Sequence, residues 1–222
     1  MPRKIFITGT DTNVGKTYIA AGFIRKLNQH NIPTLGIKPV ASGCELTENG
    51  LRNADALLLQ SAGYKELDYI AVNPIALQPA IAPHIAAEQA GIELSVNKLL
   101  EVCQPTFMQA AEIIIIEGAG GWLVPLNTKE TLADFVTALD LEVIFVVGMR
   151  LGCINHALLM WQVLQKNQVK VLGWIANFID PEMHAARENL ATLKTFISAP
   201  CLGEIHFQTK PEDGLSIVWA EN

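Results

Sequence analysis

Gly9-Thr10-Asp11-Thr12-Asn13-Val14-Gly15-Lys16-Thr17 joins the apolar run Ile5-Phe6-Ile7 to a helix-compatible stretch. A glycine-rich turn between strand and helix gathers backbone N–H groups around an anion, and the new helix adds the positive end of its dipole. The chain is therefore read as a nucleotide binder with a phosphate-binding loop. Gly15 permits close backbone approach, Lys16 lies along the terminal phosphates as a point charge, and the Thr17 hydroxyl helps to hold Mg²⁺. Thr12, Asn13, Val14 and Tyr18 complete the run expected to contact the nucleotide. Five residues separate Gly9 from Gly15, one more than the usual G-x-x-x-x-G-K-[ST] spacing, so the loop is a lengthened variant.

Further candidates lie just after other apolar runs. Lys38-Pro39-Val40-Ala41-Ser42-Gly43 puts a cation and a hydroxyl after the run Thr34 to Ile37, either for anion and substrate handling or as an ordinary turn. Asp55, after Gly50-Leu51-Arg52-Asn53-Ala54, reads as a metal ligand or as a charge at a helix start. Ile113 to Ile116 ends in Glu117-Gly118-Ala119-Gly120-Gly121: a carboxylate where nucleotide-hydrolysing proteins place their magnesium-supporting acid, with small residues that let backbone crowd a ligand. Thr17, Asp55 and Glu117 together offer three oxygens to one Mg²⁺, leaving the rest of its octahedron to phosphates and water. Gly152-Cys153-Ile154-Asn155 opens another helix whose N-terminus suits a carboxylate, although Asn155 also reads as a cap and His156 as a helix-face residue. Asn177, after Gly173 to Ala176, can pair with an adenine edge or simply make a turn.

The elements that must position these residues alternate. Apolar β-branched runs at 5–7, 34–37, 113–116, 143–147 and 171–176 are separated by helical patterns at 16–29, 53–62, 80–90, 95–110, 131–139, 154–167 and 182–196, the last expected to be capped by Asp180-Pro181. Continuous apolarity in 113–116 and 143–147 requires helices on both faces, hence a doubly wound, mostly parallel α/β sheet of the P-loop NTPase type, with ligands beyond the carboxyl ends of its strands. No repeat or linker divides residues 1–222, which are read as a single P-loop α/β domain.

Composition removes other classes. A net charge of −6, from 16 basic and 22 acidic residues without a Lys/Arg cluster, argues against nucleic acid. No apolar run approaches the roughly 20 residues that span a bilayer, and the one near the N-terminus stops at Thr8, too short for a signal peptide, so no membrane partner and a cytoplasmic location are expected. Cys44, Cys103, Cys153 and Cys201 form no Cys-x-x-Cys pair and read as reduced thiols; the five histidines are scattered and are given no metal.

The blocks at 9–17, 38–43, 50–55, Val72-Asn73-Pro74, 117–121, 151–156 and 173–177, in this order and over nearly the whole chain, resemble the dethiobiotin synthetases of biotin synthesis. That family has the same lengthened loop. The resemblance implies ATP-dependent ligation of CO₂ to 7,8-diaminononanoate, giving dethiobiotin, ADP and phosphate through a carbamate and a carbamic–phosphoric anhydride. It implies Lys38 and Lys16 as catalytic cations, Ser42 as a hydrogen-bonding partner of the carbamate or amine, Asn177 as the adenine reader, and Thr17, Asp55 and Glu117 as magnesium ligands. It also implies a homodimer, with the diamine carboxylate capped by residues 152–155 of the partner subunit. Asn13 departs from a position often occupied by Glu, and the tail 206–222 matches poorly beyond the backbone that follows Leu202-Gly203-Glu204-Ile205 near adenine. Two rivals share the expected fold. Partitioning or septum-positioning ATPases carry a second lysine early in the loop, absent between Gly9 and Gly15; ligases amidating cobalamin precursors usually carry a glutamine-hydrolysing domain, for which the chain has neither the length nor an evident Cys–His pair.

Overall fold

The computed structural model describes residues 1–220; Glu221 and Asn222, the end of the tail, lie outside the described residues. Strand β1 (Arg3–Gly9) runs into the loop, α1 (Lys16–Gln29) and β2 (Thr34–Ile37). Short elements follow: β3 (Val40–Ala41), β4 (Glu45–Thr47), β5 (Gly50–Arg52), α2 (Ala54–Ala62), α3 (Tyr69–Val72), β6 (Ile75–Ala76) and α4 (Pro83–Gln89). Helix α5 (Val96–Phe107) leads to β7 (Ile113–Glu117), after which α6 (Leu132–Ala138), β8 (Glu142–Gly148), α7 (Cys153–Lys166), β9 (Lys170–Asn177), α8 (Ala186–Phe196) and β10 (Cys201–Ile205) alternate, followed by the short α9 (Pro211–Gly214) and a 3₁₀ turn at Val218–Ala220.

Six strands form the main sheet in the order β10-β9-β8-β1-β7-β2, every neighbouring pair parallel. This is the doubly wound architecture expected from the continuous apolar runs. Because successive strand side chains point to opposite faces, Ile5, Ile7, Ile113, Ile115, Ile144 and Val146 pack with Ile19, Phe23 and Ile24 of α1 and Leu59 of α2. Phe6, Ile114, Ile116, Phe145 and Trp174 pack on the other face with Leu99 of α5, Phe135 of α6, Trp161 of α7 and Leu193 of α8. The chain leaves β1 for β2, returns through β7 and then crosses to β8 on the far side of β1. That reversal opens the crevice beyond the carboxyl end of β1, where sheets of this kind bind ligands.

Differences from the sequence expectations have local causes. Strand β10 is an addition to the expected strands: Cys201-Leu202-Gly203-Glu204-Ile205 lies at the sheet edge and has only a partly buried pattern, so it carries no continuous apolar run. Asp180-Pro181 does not cap α8: the Asp180 carboxylate accepts the Glu182 N–H in a separate turn, and left-handed Ala185 delays the helix to Ala186. Asn53 is the N-cap of α2 rather than its first residue, its side chain accepting the N–H groups of Asp55 and Ala56.

Candidate functional site

The loop after β1 is shaped by two left-handed residues, Asn13 at φ 60° and Gly15 at φ 87°. Asn tolerates that region better than a longer carboxylate, so the departure at position 13 suits its backbone. Gly15 caps α1 without a side-chain hydrogen bond, leaving the first-turn N–H groups directed at the loop's concavity. Beneath the loop, the buried Asn177 at the end of β9 donates Nδ2–H to the Val14 carbonyl at 2.8 Å. A Cβ on Gly15 would stand 2.2 Å from that Nδ2 in a backbone conformation L-residues rarely adopt. Gly15→Ala is therefore expected to weaken MgADP binding at least about tenfold while costing about 1–3 kcal/mol of backbone strain, as titration calorimetry and thermal melting would read.

Lys16 is buried, its ammonium donating to the Asp11 carbonyl at 2.9 Å. Burial, only partly offset by Glu117 and reinforced by the Lys38 charge, lowers its pKa to about 8. Phosphate binding favours the charged form, so the free protein must take up a proton when it binds nucleotide above that pH. MgADP affinity should fall by up to about tenfold per unit as pH rises beyond about 8, with a buffer-dependent heat reporting proton uptake; a flat profile from pH 7 to 9.5 would contradict it. The loop is also tied to the β8–α7 turn by Arg150, whose Nη2 lies 2.5 Å from Asp11 Oδ2.

Beside the loop, four of the predicted side chains meet. Ile37 of β2 pairs with Ile116 of β7, so the residues that follow, Lys38 and Glu117, emerge side by side. The Lys38 ammonium lies 2.8 Å from Glu117 Oε1 and 2.8 Å from Asp55 Oδ2. Thr17 Oγ1 donates to the same Glu117 Oε1 at 2.8 Å. Lys38 and Glu117 side chains are 6% and 1% exposed, whereas Asp55 is 47% exposed. Burial alone would lower the Lys38 pKa, but the charges and hydrogen bonds of Glu117 and Asp55 outweigh it and raise the group above its ordinary value. Burial likewise opposes ionisation of Asp55, yet Lys38, Thr17 and Lys16 hold its carboxyl below the usual range. The arrangement keeps the Lys38 cation and the ionised Asp55 next to the phosphate loop.

Glu117 Oε2 is buried and has no hydrogen-bond partner. A buried carboxylate oxygen left unsatisfied is costly, and Mg²⁺ is a hard cation that takes such oxygens. Among the described residues no three His, Cys, Asp or Glu side chains gather at one point, so an ion held here must draw on the Thr17 hydroxyl, phosphates and water, as the Mg²⁺ of nucleotide sites does. The residues fit that ion. Ser42 Oγ, in the segment following β3, is also buried without a partner and offers a free hydroxyl for a ligand.

Residues 152–155 are placed apart from this cluster. Gly152, at φ 93°, caps α7 with no side-chain bond; Asn155 is exposed, Leu151 is 95% exposed, and Cys153 is buried with its thiol pKa raised by burial. No hydrogen bond among the described residues links this helix start to Lys38, Asp55 or Glu117. Gly118, Ala119 and Gly120 follow Glu117 as a close-packed turn, a Cβ on Gly118 falling 2.7 Å from the Phe6 ring and Gly120 adopting φ 63°. The Tyr18 hydroxyl donates to the Thr209 carbonyl, joining α1 to the segment after β10.

The sequence reading did not single out Asn53, Tyr69 or Asn73 for roles at the site. Asn73 Nδ2 donates to the Lys38 carbonyl at 2.7 Å, and the Tyr69 hydroxyl accepts the Asn53 N–H and donates to Asn73 Oδ1. Val72-Asn73-Pro74 is one of the blocks that carry the family resemblance, but nothing local in it says which carbonyl its amide reaches.

Sheet order, loop geometry and the Thr17–Glu117 contact define a P-loop nucleoside triphosphatase fold. Solved structures agree on the fold: the septum site-determining protein MinD complexed with Mg-ADP from Pyrococcus horikoshii aligns with a TM-score of 0.58 at 16% identity, covering 97% of this chain and 87% of that one. The MinC:MinD cell division complex from Aquifex aeolicus gives 0.57 at 19%, covering 99% and 88%. A family model described as an AAA domain matches residues 3–212. The ATP-dependent dethiobiotin synthetases of Cellvibrio japonicus and Pseudomonas paraeruginosa are 49% and 48% identical to the chain, over 91% and 90% of its length and 89% and 88% of theirs. The chain belongs to the ATP-dependent dethiobiotin synthetase family.

Proposed function

We propose that the chain joins CO₂ to 7,8-diaminononanoate at the expense of MgATP, forming dethiobiotin, ADP and phosphate in a single P-loop α/β domain that works as a cytoplasmic homodimer. The observation that carries the reading is the Lys38 ammonium held between Glu117 and Asp55 beside the phosphate loop, with an unpartnered Ser42 hydroxyl nearby.

One amine of the diamine adds to CO₂ and loses a proton, giving a carbamate. A carbamate oxygen then attacks the γ-phosphorus, ADP leaves, and a carbamic–phosphoric anhydride remains. The second amine attacks the carbonyl carbon; the C–O bond to phosphate breaks and the cyclic urea closes. Carbamate and γ-phosphate repel each other as anions, so their approach demands fixed positive charge. Lys38 is assigned to the carbamate and the developing anhydride, Lys16 to the terminal phosphates, and Ser42 to a hydrogen bond with the carbamate or amine. Thr17, Asp55 and Glu117 would hold Mg²⁺, which when bound neutralises phosphate charge and orients the γ-phosphoryl group. Thr12 to Tyr18 and Gly118 to Gly120 line the nucleotide, and the Asn177 amide, one hydrogen of which bonds Val14, is assigned to the adenine edge.

The uncapped start of α7, with Gly152, Cys153, Ile154 and Asn155 beside the exposed Leu151, is assigned to the diamine carboxylate across a two-fold interface. Four free cysteines suit a reducing compartment. Among the described residues no helix is long and apolar enough to cross a membrane.

The test measures ADP release from MgATP by purified protein with diamine, bicarbonate, both or neither. Release should require both, and the cyclic urea should appear by mass in equal amount; ADP release indifferent to the diamine would reject the reading.

A further inference from the structure

Lys38 is held by more than its two carboxylates. Its backbone N–H donates to the Val72 carbonyl at 2.8 Å, and its carbonyl accepts from Asn73 Nδ2 at 2.7 Å. Both peptide groups flanking the lysine side chain are thus tied to the end of α3. Asn73, 2% exposed, directs Oδ1 to the Tyr69 hydroxyl at 3.0 Å. That hydroxyl accepts the Asn53 N–H at 2.7 Å. Asn53, also buried, accepts the Asp55 and Ala56 N–H groups at 3.1 and 3.2 Å, so it fixes the first turn of α2. Its amide reaches the Ser42 carbonyl at 3.4 Å. Asp55 in that turn closes the path back on the Lys38 ammonium.

We propose that the Tyr69 and Asn73 side chains, together with the backbone N–H and side chain of Asn53, form a closed hydrogen-bonded circuit that sets Lys38, Asp55 and Ser42 at fixed separations, and that the three are positioning residues for the ligation. The proposal rests on the function assigned above. A chain from α2 to the end of β2 through local loops alone would leave the two charged groups on independently moving segments. The circuit replaces that freedom with buried and part-buried bonds; breaking the buried Asn73–Lys38 bond leaves an unsatisfied carbonyl. The Tyr69 ring is itself clamped, with the Arg52 guanidinium 4.2 Å from its centroid. Among the described residues no hydrogen bond joins Tyr69, Asn73 or Asn53 to the phosphate loop, so nucleotide binding and ligation chemistry are separable by mutation at these three positions.

Asn73→Asp keeps the acceptor for Tyr69 but sets an oxygen against the Lys38 carbonyl; Tyr69→Phe keeps the ring and deletes both hydroxyl bonds. A small misplacement of reacting groups costs up to about 10²-fold. The expected results are a fall in kcat of about 10²-fold for Asn73→Asp and about tenfold for Tyr69→Phe, counted per MgADP-binding site by calorimetry, with the MgADP Kd within about twofold of wild type. A merely structural role would lower the melting temperature and the number of binding sites but leave kcat per site unchanged. Wild-type kcat per site in Tyr69→Phe overturns the proposal, whether or not Asn73→Asp folds. So does a loss of MgADP affinity in Tyr69→Phe that parallels its loss of turnover. The wild-type protein run alongside separates the two levels: if it makes no cyclic urea, the assigned function fails; if it does while Tyr69→Phe is silent, only the circuit fails.

Discussion

Lys38→Met should lower diamine-dependent turnover by about 10³-fold or more while leaving MgADP bound. Methionine keeps roughly the length and volume of the lysine stem, so the site is not emptied; only the cation is removed. In the proposed reaction that cation offsets the repulsion between carbamate and γ-phosphate, and loss of one preorganised electrostatic group typically costs about 10²–10³-fold in kcat. A larger loss is expected because the substitution also leaves Glu117, 1% exposed, without its buried counter-charge. Removing one partner of a buried pair typically costs about 3–5 kcal/mol, a figure that applies to the Glu117 contact and much less to half-exposed Asp55. The two consequences separate in a calorimetric and kinetic comparison: MgADP stoichiometry reports folding, kcat per bound site reports chemistry. A variant that folds and retains kcat within tenfold of wild type would remove Lys38 from the mechanism.

Glu117→Gln should raise the half-saturating Mg²⁺ concentration at least about tenfold and lower kcat by about 10²-fold. The amide oxygen can still accept from Thr17 and Lys38, as Oε1 does now at 2.8 Å from each. What is lost is the partnerless Oε2, because an amide nitrogen in its place cannot ligate a cation. The same change alters Lys38. Burial lowers the lysine pKa and Glu117 is the largest force against it, so without that charge the ammonium deprotonates at lower pH. The high-pH limb of kcat should therefore move to lower pH in the variant. Titrations with Mg²⁺ and a pH–rate profile measure both effects, and an unchanged Mg²⁺ requirement would show that Glu117 is not a ligand.

The sequence made the site legible where chemistry and strand ends coincide. Gly15-Lys16-Thr17 between an apolar run and a helix marks its own place in the fold, and Ile113 to Ile116 announces a strand covered on both faces. Once those strands are parallel neighbours, Lys38 and Glu117 must emerge together, because each follows a paired residue. Other features depend on distant partners and leave no local mark. Asn73 is 35 residues from the carbonyl it holds, and Asn177 is 163 residues from Val14. β10 was missed because an edge strand with one face half open lacks the continuous apolar run that revealed its neighbours. The α8 start was misplaced because Asp180-Pro181 has the composition of a cap, while the Asp180 side chain is engaged by Glu182 in a turn of its own.

The most direct test of the account follows oxygen. In the proposed sequence a carbamate oxygen becomes the bridge to the γ-phosphorus and departs with phosphate when the ring closes, so each turnover carries one oxygen atom from CO₂ into inorganic phosphate. Turnover of MgATP and diamine in ¹⁸O-labelled CO₂ and bicarbonate, quenched before exchange with water, should give phosphate with one labelled oxygen for each cyclic urea formed. Unlabelled phosphate accompanying labelled dethiobiotin would contradict phosphoryl transfer to a carbamate, and with it the role given to Lys38.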